Sequence, residues 1–281
     1  MKALILGGNG LLGHKLFQVL SREIETVATI RGETPCPEIL PFVDIKNAAL
    51  VEFVLESVRP NVVINAVGVV KQKTASLTEL HQINTDFPKR TAIACHNLGI
   101  RFIHISTDCV FSGLRGSYAE YDRPDPVDVY GYTKLSGEVN LPNVLTLRTS
   151  FIGWQVNGWE SLLSWLAMQR GKSVNGYTRA IFSGFSTSVL ARVMLKLVRD
   201  FESLSGLYHV AAEPISKFEL LTRVRDALKW DIEIKPDAGL VYNRSLNGSR
   251  FNGVTGFNPP SWDEMIGGLA REWPNYKEFY E

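Results

Sequence analysis

Lys2-Ala3-Leu4-Ile5-Leu6-Gly7-Gly8-Asn9-Gly10-Leu11-Leu12-Gly13 is the stretch on which the fold turns. Residues 2–6 form a short apolar run, and beyond the glycines Leu12, Leu16, Val19 and Leu20 recur at helical spacing. The pattern predicts a buried strand, a glycine turn and a helix. Gly7, Gly10 and Gly13 are spaced G-x-x-G-x-x-G, a variant of the dinucleotide-binding fingerprint. The first glycines allow a tight turn and let a pyrophosphate approach backbone N–H groups at the positive end of the helix, and the last lets helix and strand pack closely. Gly7, Asn9, Gly10, Leu11 and Leu12 are therefore the expected pyrophosphate loop.

Outward from that loop the chain alternates strand and helix. Glu25 to Ile30 reads as a second strand, and Phe42-Val43-Asp44-Ile45 as a short third. The helix that follows carries Leu50, Phe53, Val54 and Val58 and stops at Pro60. Val62 to Gly68 is a continuous apolar run closed by small residues, as suits a strand buried on both faces and ending beside a cofactor. Ser76 and Glu79 have capping-box spacing and open a helix expected to reach Leu98, with an irregularity at Pro88. Phe102–Thr107 and Val144–Thr149 are the next strands. This rhythm predicts an α/β protein with a doubly wound parallel sheet of the Rossmann kind.

Past residue 150 the texture changes, with Phe151, Trp154, Trp159 and Trp165 close together. The expected division is a dinucleotide-binding domain over 1–152, joined by 184–211, and a partly discontinuous substrate-binding lobe over 153–281. The returning segment contains an amphipathic helix (Val189, Leu190, Val193, Met194, Leu197) and a strand from Gly206 to Ala211. Ser216 with Glu219 and Ser261 with Glu264 repeat the capping-box spacing.

Composition narrows the function. Thirty Lys and Arg against 29 Asp and Glu leave a net charge of +1, which offers no whole-protein field for nucleic acid or an anionic membrane. No apolar run approaches the ~18 residues of a spanning helix, and the opening Met1-Lys2-Ala3 carries no signal-peptide pattern. Cys36, Cys95 and Cys109 lack zinc-ligand spacing with one another or with His, so a reduced, cytoplasmic protein with no metal site is expected. His104, alternating within its strand, reads as a core residue.

The chemistry points to Tyr130-Gly131-Tyr132-Thr133-Lys134, on a helix expected to start near Val127. Four residues apart on a helix, Tyr130 and Lys134 share one face. A nearby ammonium favours phenolate and lowers a tyrosine pKa, which would make Tyr130 a general acid. A single pair at that spacing is weak by itself. Ser106-Thr107 falls at a strand's carboxyl end, where ligands of open α/β sheets bind; Thr107 could equally be a cap. Arg31 stands where an acid normally takes the ribose hydroxyls of NAD. Its guanidinium suits a 2′-phosphate, so NADPH is expected over NADH, with NAD the alternative cofactor.

Taken together, Gly7-x-x-Gly10-x-x-Gly13, Asn65-Ala66-Val67-Gly68, Ile105 to Gly113, Tyr130-Gly131-x-x-Lys134, Leu147-Arg148-Thr149-Ser150 and Gly206 to Val210 carry a family resemblance along the whole chain. The sequence resembles the extended short-chain dehydrogenase/reductases, and among them the dTDP-4-dehydrorhamnose reductases and their sugar-nucleotide relatives. The resemblance implies an NADP-dependent reduction of the 4-keto group of a 4-keto-6-deoxy sugar nucleotide, in deoxysugar or surface-polysaccharide biosynthesis. It implies Thr107, Tyr130 and Lys134 as catalytic, and adds Asp44, Ile45, Ala66, Val67, Gly68, Tyr130 and Lys134 to the cofactor contacts. Lys71, Gln72, Phe111, Trp154 and Arg179 are the implied contacts of a nucleoside-diphosphate sugar, the two cations suiting the diphosphate. A homodimer is compatible with it.

Two departures stand out. Leu6 replaces a Thr before the first glycine, and Cys109 stands where the rhamnose enzymes have an aromatic residue, which leaves the sugar open. The alternatives are a sugar-nucleotide 4-epimerase, which would use the same Tyr and Lys, and a non-catalytic NADP-binding regulatory subunit, against which those two residues argue. A 4,6-dehydratase is disfavoured, because Asp108 is followed by Cys109 rather than Glu.

Overall fold

The apolar run at the start of the chain forms β1 (Lys2–Leu6), whose last four residues are fully buried. It is followed by α1 (Gly13–Leu20), β2 (Glu25–Thr29), β3 (Ile39–Leu40), α2 (Ala48–Val58) and β4 (Val62–Asn65). The computed structural model describes residues 1–69, 76–156 and 158–280. Next come α3 (Leu77–His81), a π-helical turn at Gln82–Asp86, α4 (Phe87–Asn97), β5 (Arg101–Thr107), α5 (Val129–Ser136) and β6 (Val144–Thr149). The remaining elements are β7 (Phe151–Ile152), α6 (Leu162–Ala167), β8 (Lys172–Phe182), β9 (Phe185–Ser186), α7 (Thr187–Asp200), β10 (Gly206–His209), β11 (Ile215–Ser216), α8 (Lys217–Leu228), β12 (Ile232–Asn243), α9 (Ser249–Thr255) and α10 (Trp262–Glu272).

Seven strands make one sheet in the order β10-β6-β5-β4-β1-β2-β3, and every pair in it is parallel. This is the doubly wound Rossmann architecture that the alternation predicts. The chain order reverses between β1 and β4, so their carboxyl ends open a crevice, the usual ligand position of such sheets. On one face the sheet packs with α1 and α7, where Leu16 and Leu20 share a core with Leu190 and Met194. On the other, Leu4 and Leu6 pack with Val51, Val54, Phe87 and Cys95 of α2 and α4.

After β6 the chain leaves the sheet and returns through α7 and β10, which adds the edge strand beside β6. The lobe is built on a three-stranded sheet, β11-β8-β12, with β12 parallel and β11 antiparallel to β8. Its core runs without a break into that of the main sheet: Trp154, Leu163, Phe182, Leu220 and Met265 share a cluster with Ile5, Leu145 and Leu147.

Two local expectations are corrected. The third strand is Ile39–Leu40 rather than Phe42–Ile45. Phe42 has φ 58°, a left-handed turn conformation that no strand tolerates, and Val43 and Ile45 are buried from a loop. The long helix expected from Ser76 to Leu98 is instead α3, the π-turn and α4. Pro88 is the cause, because it has no N–H to donate to the Asn84 carbonyl four residues back. The extra residue of a π-turn absorbs the lost bond, and Gly137 packs over the exposed carbonyl, where a Cβ would stand 2.0 Å from the oxygen.

Candidate active site

The glycine loop requires its glycines. Gly7 has φ +89°, and a Cβ there would stand 2.9 Å from the Val67 side chain. A Cβ on Gly13 would stand 2.0 Å from the Gly7 carbonyl oxygen, so that glycine lets α1 close on the turn. The turn is held by Gly8 N–H donating to the Thr29 carbonyl (2.8 Å) and Gly10 N–H to the Gly7 carbonyl (3.1 Å). Among the described residues no side chain caps the start of α1, which leaves its positive end available to an anion.

The loop forms one end of a cavity of about 1000 Å³. Gly7, Asn9, Gly10, Leu11, Leu12, Arg31, Asp44, Ile45, Ala66, Val67 and Gly68 all line it, as does Lys46. Arg31 is exposed at its rim. The Asp44 carboxylate accepts the Lys46 N–H (3.0 Å), and Arg90 donates to the Ile45 carbonyl (3.1 Å). Val67 is set by its N–H donating to Asn65 Oδ1 (3.0 Å), while Asn65 Nδ2 donates to His104 Nδ1 (3.1 Å). That bond and full burial, which holds its pKa well below the ordinary histidine value, make His104 a neutral core residue.

The middle of the cavity is where β5 ends and α5 begins. Thr107 accepts the Cys109 N–H (3.1 Å) and donates to Asp108 Oδ1 (3.2 Å); it caps the short turn and faces the cavity as well. Asp128 caps α5 by accepting the Gly131 N–H (2.8 Å). Gly131 explains how near α5 comes to that turn, since a Cβ there would stand 2.3 Å from the Cys109 carbonyl oxygen. Tyr130 is thereby brought beside Thr107.

The sequence expectation that Lys134 lowers the Tyr130 pKa is corrected. Burial pushes the phenol above its ordinary value, with Cys109, Asp108 and Asp128 adding to the rise and Thr107 opposing it. Lys134 instead donates to the Ile105 carbonyl (2.6 Å). Burial brings the Lys134 ammonium down to about 8, and the charge of Glu138 acts against that fall. Glu138 itself is fixed from two strands. It accepts the Ser106 hydroxyl (2.6 Å) and both Nε and Nη2 of Arg148 (2.8 Å each).

The far half of the cavity belongs to the lobe. Asn175 and Tyr177 of β8, Lys217 and Leu221 of α8, and Tyr242 and Arg244 from the end of β12 line it, as do Trp159 and Trp165. Arg244 Nη1 lies 3.2 Å from Cys109 Sγ. Burial raises the Asp108 pKa, and the charges of Lys217 and Arg244 oppose the rise, so both cations face that carboxyl. One cavity thus runs from a glycine loop, past a Thr-Tyr-Lys cluster, to a cationic and aromatic wall.

The model of the RmlD substrate binding domain family matches residues 1–267. The chain belongs to this family. A probable low-salt glycan biosynthesis reductase of Haloferax volcanii is 31% identical, with 98% of this chain and 99% of the relative covered. A dTDP-4-dehydrorhamnose reductase of Aggregatibacter actinomycetemcomitans is 30% identical over 226 residues, 76% of this chain and 74% of the relative. The crystal structure of dTDP-4-dehydrorhamnose reductase from Bacillus anthracis in complex with NADP has a TM-score of 0.80 at 26% identity, with 96% of this chain and 99% of that one covered.

Membership of the family does not place every implied substrate contact at the cavity. Phe111 is fully buried and stacks on Tyr118 with centroids 4.1 Å apart, in a small core under the turn. Trp154 is fully buried among Trp230, Trp273 and Tyr280, its indole N–H donating to the Leu269 carbonyl (2.9 Å). Arg179 is exposed on β8 and outside the wall. These three are corrected as substrate contacts. Lys71 and Gln72 lie outside the described residues. Sequence reasoning did not find Lys217, Tyr242 or Arg244, which come from separate elements with no local signal. It also missed Asn84, which donates to the Val69 carbonyl (3.0 Å) and Thr133 Oγ1 (3.2 Å) and so ties the loop after β4 to α5; its signal was Pro88.

Proposed function

We propose that the protein is an NADPH-dependent reductase of the 4-keto group of a 4-keto-6-deoxy sugar nucleotide, the reaction for which its dTDP-4-dehydrorhamnose reductase relatives are named. The observation that carries the proposal is the position of Thr107, Tyr130 and Lys134 midway along one cavity, between the glycine loop and the wall of Lys217, Tyr242 and Arg244.

The loop fits a dinucleotide, because side chains at Gly7 or Gly13 would collide with its own walls and backbone rather than side chains borders the space. Asn9 to Leu12 would hold the pyrophosphate, and Ala66 to Gly68 would flank the ring end. Arg31 and Lys46 form a cationic corner that suits a 2′-phosphate. NADPH is thus the preferred cofactor, with NADH tolerated. The bound cofactor supplies the hydride.

The chain's residues supply the rest. Thr107 turns its one hydroxyl proton from Asp108 to the substrate carbonyl oxygen, and Tyr130 gives its phenolic proton to that oxygen as negative charge develops on it. A phenol held above its ordinary pKa stays protonated at neutral pH, so the acid is present before the reaction begins. Lys134, mostly ammonium below about 8, stabilises the phenolate left behind and holds the ribose hydroxyls. Lys217 and Arg244 take over the diphosphate role first expected of Arg179. Cys36, Cys95 and Cys109 form no disulfide among the described residues, in keeping with the reducing cytoplasm where we place this reaction.

The test is to follow NADPH absorbance with a panel of 4-keto-6-deoxy sugar nucleotides. Oxidation in step with substrate consumption supports the reductase. Turnover without net oxidation would point to a 4-epimerase, and silence across the panel to a binding subunit.

A further inference from the structure

The segment after α10 lies beyond the part of the chain that the family model matches, yet it reaches both halves of the cavity. Tyr276 and Tyr280 are almost fully buried, at 3% and 4% exposure, and each hydroxyl is occupied. Buried tyrosines commonly place the ring in a core and the hydroxyl on a specific partner. Here the partners lead to the cavity wall: Gln155 lines it, and His14 is bonded to Gly10, which does.

Tyr276 sits against α1, with its ring centroid 5.7 Å from that of His14 and the Lys15 ammonium 5.0 Å above it. Its hydroxyl is 3.1 Å from His14 Nε2 and 3.3 Å from Gln18 Oε1. The other ring nitrogen, His14 Nδ1, is 2.9 Å from the Gly10 carbonyl. A carbonyl only accepts, so Nδ1 carries the proton, and the single hydroxyl proton of Tyr276 is shared between two acceptors, Nε2 of the neutral ring and Gln18 Oε1. Burial keeps His14 toward the neutral form. The chain of bonds runs Tyr276, His14, Gly10, and ends in the glycine loop.

Tyr280 reaches the opposite half. Its hydroxyl donates to the Gln155 carbonyl (2.8 Å), accepts the Gln155 N–H (2.8 Å) and is 2.9 Å from the Ser164 hydroxyl. One donor and two acceptor sites are thereby used in full. Gln155 passes the anchor on. Its Oε1 accepts the Ser161 N–H (3.1 Å) and its Nε2 donates to Glu160 (3.0 Å). Gln155, Glu160 and Ser161 all line the cavity, and so does Trp159, whose ring meets that of Tyr280 at 5.4 Å.

We infer that Tyr276 and Tyr280 are positioning residues, the first holding the dinucleotide loop through His14 and Gly10, the second holding the Gln155, Glu160 and Ser161 wall on the sugar side. The assignment of the two sides rests on the function proposed above; the bonding does not. The three residues between the two tyrosines set the separation of loop and wall from one short piece of chain.

The test uses the full chain with Tyr276→Phe and Tyr280→Phe, which keep both rings and remove one hydroxyl each. Amide hydrogen exchange should speed up selectively over residues 7–14 in the first variant and over 155–164 in the second. NADPH affinity should weaken about 5- to 10-fold in Tyr276→Phe, as for the loss of one buried hydrogen bond, with the sugar-nucleotide KM within twofold of the parent. Tyr280→Phe should show the reverse split. A purely structural role would move both constants together or neither, and either result overturns the inference, as does exchange that quickens everywhere alike. If no sugar nucleotide is turned over, the proposed function fails, and hydrogen exchange with NADPH affinity still decides the inference.

Discussion

Replacing Glu138 by Gln tests the support beneath Lys134. The carboxylate makes a two-point contact with Arg148, which is 3% exposed, and takes a third bond from Ser106. The amide can keep its oxygen toward Ser106 and Arg148 Nε, but its NH2 then faces the Nη2 donor, and Arg148 is left as a buried charge without its counter-ion. Breaking one side of a buried pair costs about 3–5 kcal/mol. For 281 residues the unfolding entropy is about 0.6 kcal/mol/K, so Tm should fall by roughly 5–8 °C.

The same change acts on activity. Lys134 sits at about 8 with Glu138 holding it up against burial. Its active form is the ammonium, present below that value and lost as pH rises through it. With Glu138 neutralised, the alkaline fall of kcat/KM moves to lower pH. Adding Arg148→Met should recover much of the lost stability, because no buried charge is then stranded, while the displaced pH profile remains. Differential scanning calorimetry and pH–rate profiles of the three proteins read both effects. A Tm within 1 °C of the parent for Glu138→Gln, or an unmoved alkaline limb, would refute the reasoning.

Tyr130→Phe removes the acid and keeps the ring, and should lower kcat by about 100-fold or more with NADPH affinity little changed; a kcat within a few-fold of the parent would take the role from Tyr130. Gly131→Ala places a methyl 2.3 Å from the Cys109 carbonyl oxygen and must push α5 off the turn, so kcat should fall by about 10-fold or more through misplacement of Tyr130, while cofactor affinity is less affected. Arg31→Ala should reduce the preference for NADPH over NADH by about one to two decades, the worth of a charge-assisted pair with phosphate; steady-state kinetics with both cofactors check it, and an unchanged ratio removes Arg31 from the cofactor site.

The parts of the protein that were legible in the sequence are those whose physics is local. β1 and β4 read as apolar runs because a strand in the middle of a parallel sheet is covered on both faces. The glycine loop and the Tyr-Gly-x-x-Lys helix read because φ +89° at Gly7 and backbone clashes at Gly13 and Gly131 leave no other residue type. β3 was misplaced because a two-residue edge strand has no period to read, and the buried Val43 and Ile45 beside it imitate one. The irregularity at Pro88 was legible, but its form as a π-turn at Gln82–Asp86 was not, because the missing N–H acts at a carbonyl four residues upstream.

Burial was the other blind spot. Helical spacing correctly puts Tyr130 and Lys134 in one cavity, but the direction in which their pKa values move depends on desolvation and on neighbours such as Cys109, Asp108 and Glu138. The lobe wall was illegible for a different reason. Lys217, Tyr242 and Arg244 meet only because α8 and β12 fold back beside β8, and nothing in their own neighbourhoods marks them. Trp154 and Phe111 show the converse, since an aromatic residue next to a site motif is as well suited to the core beneath it.

The most direct measurement of the central claim follows a label. NADPH carrying deuterium in place of the transferred hydrogen is incubated with the protein and a dTDP-linked 4-keto-6-deoxy sugar, and the product is analysed by mass spectrometry and proton NMR. The account predicts stoichiometric NADPH oxidation and a product heavier than the substrate by one deuterium and one proton, with the deuterium on C4. A product of the same mass as the substrate, formed with no net oxidation of NADPH, would contradict it.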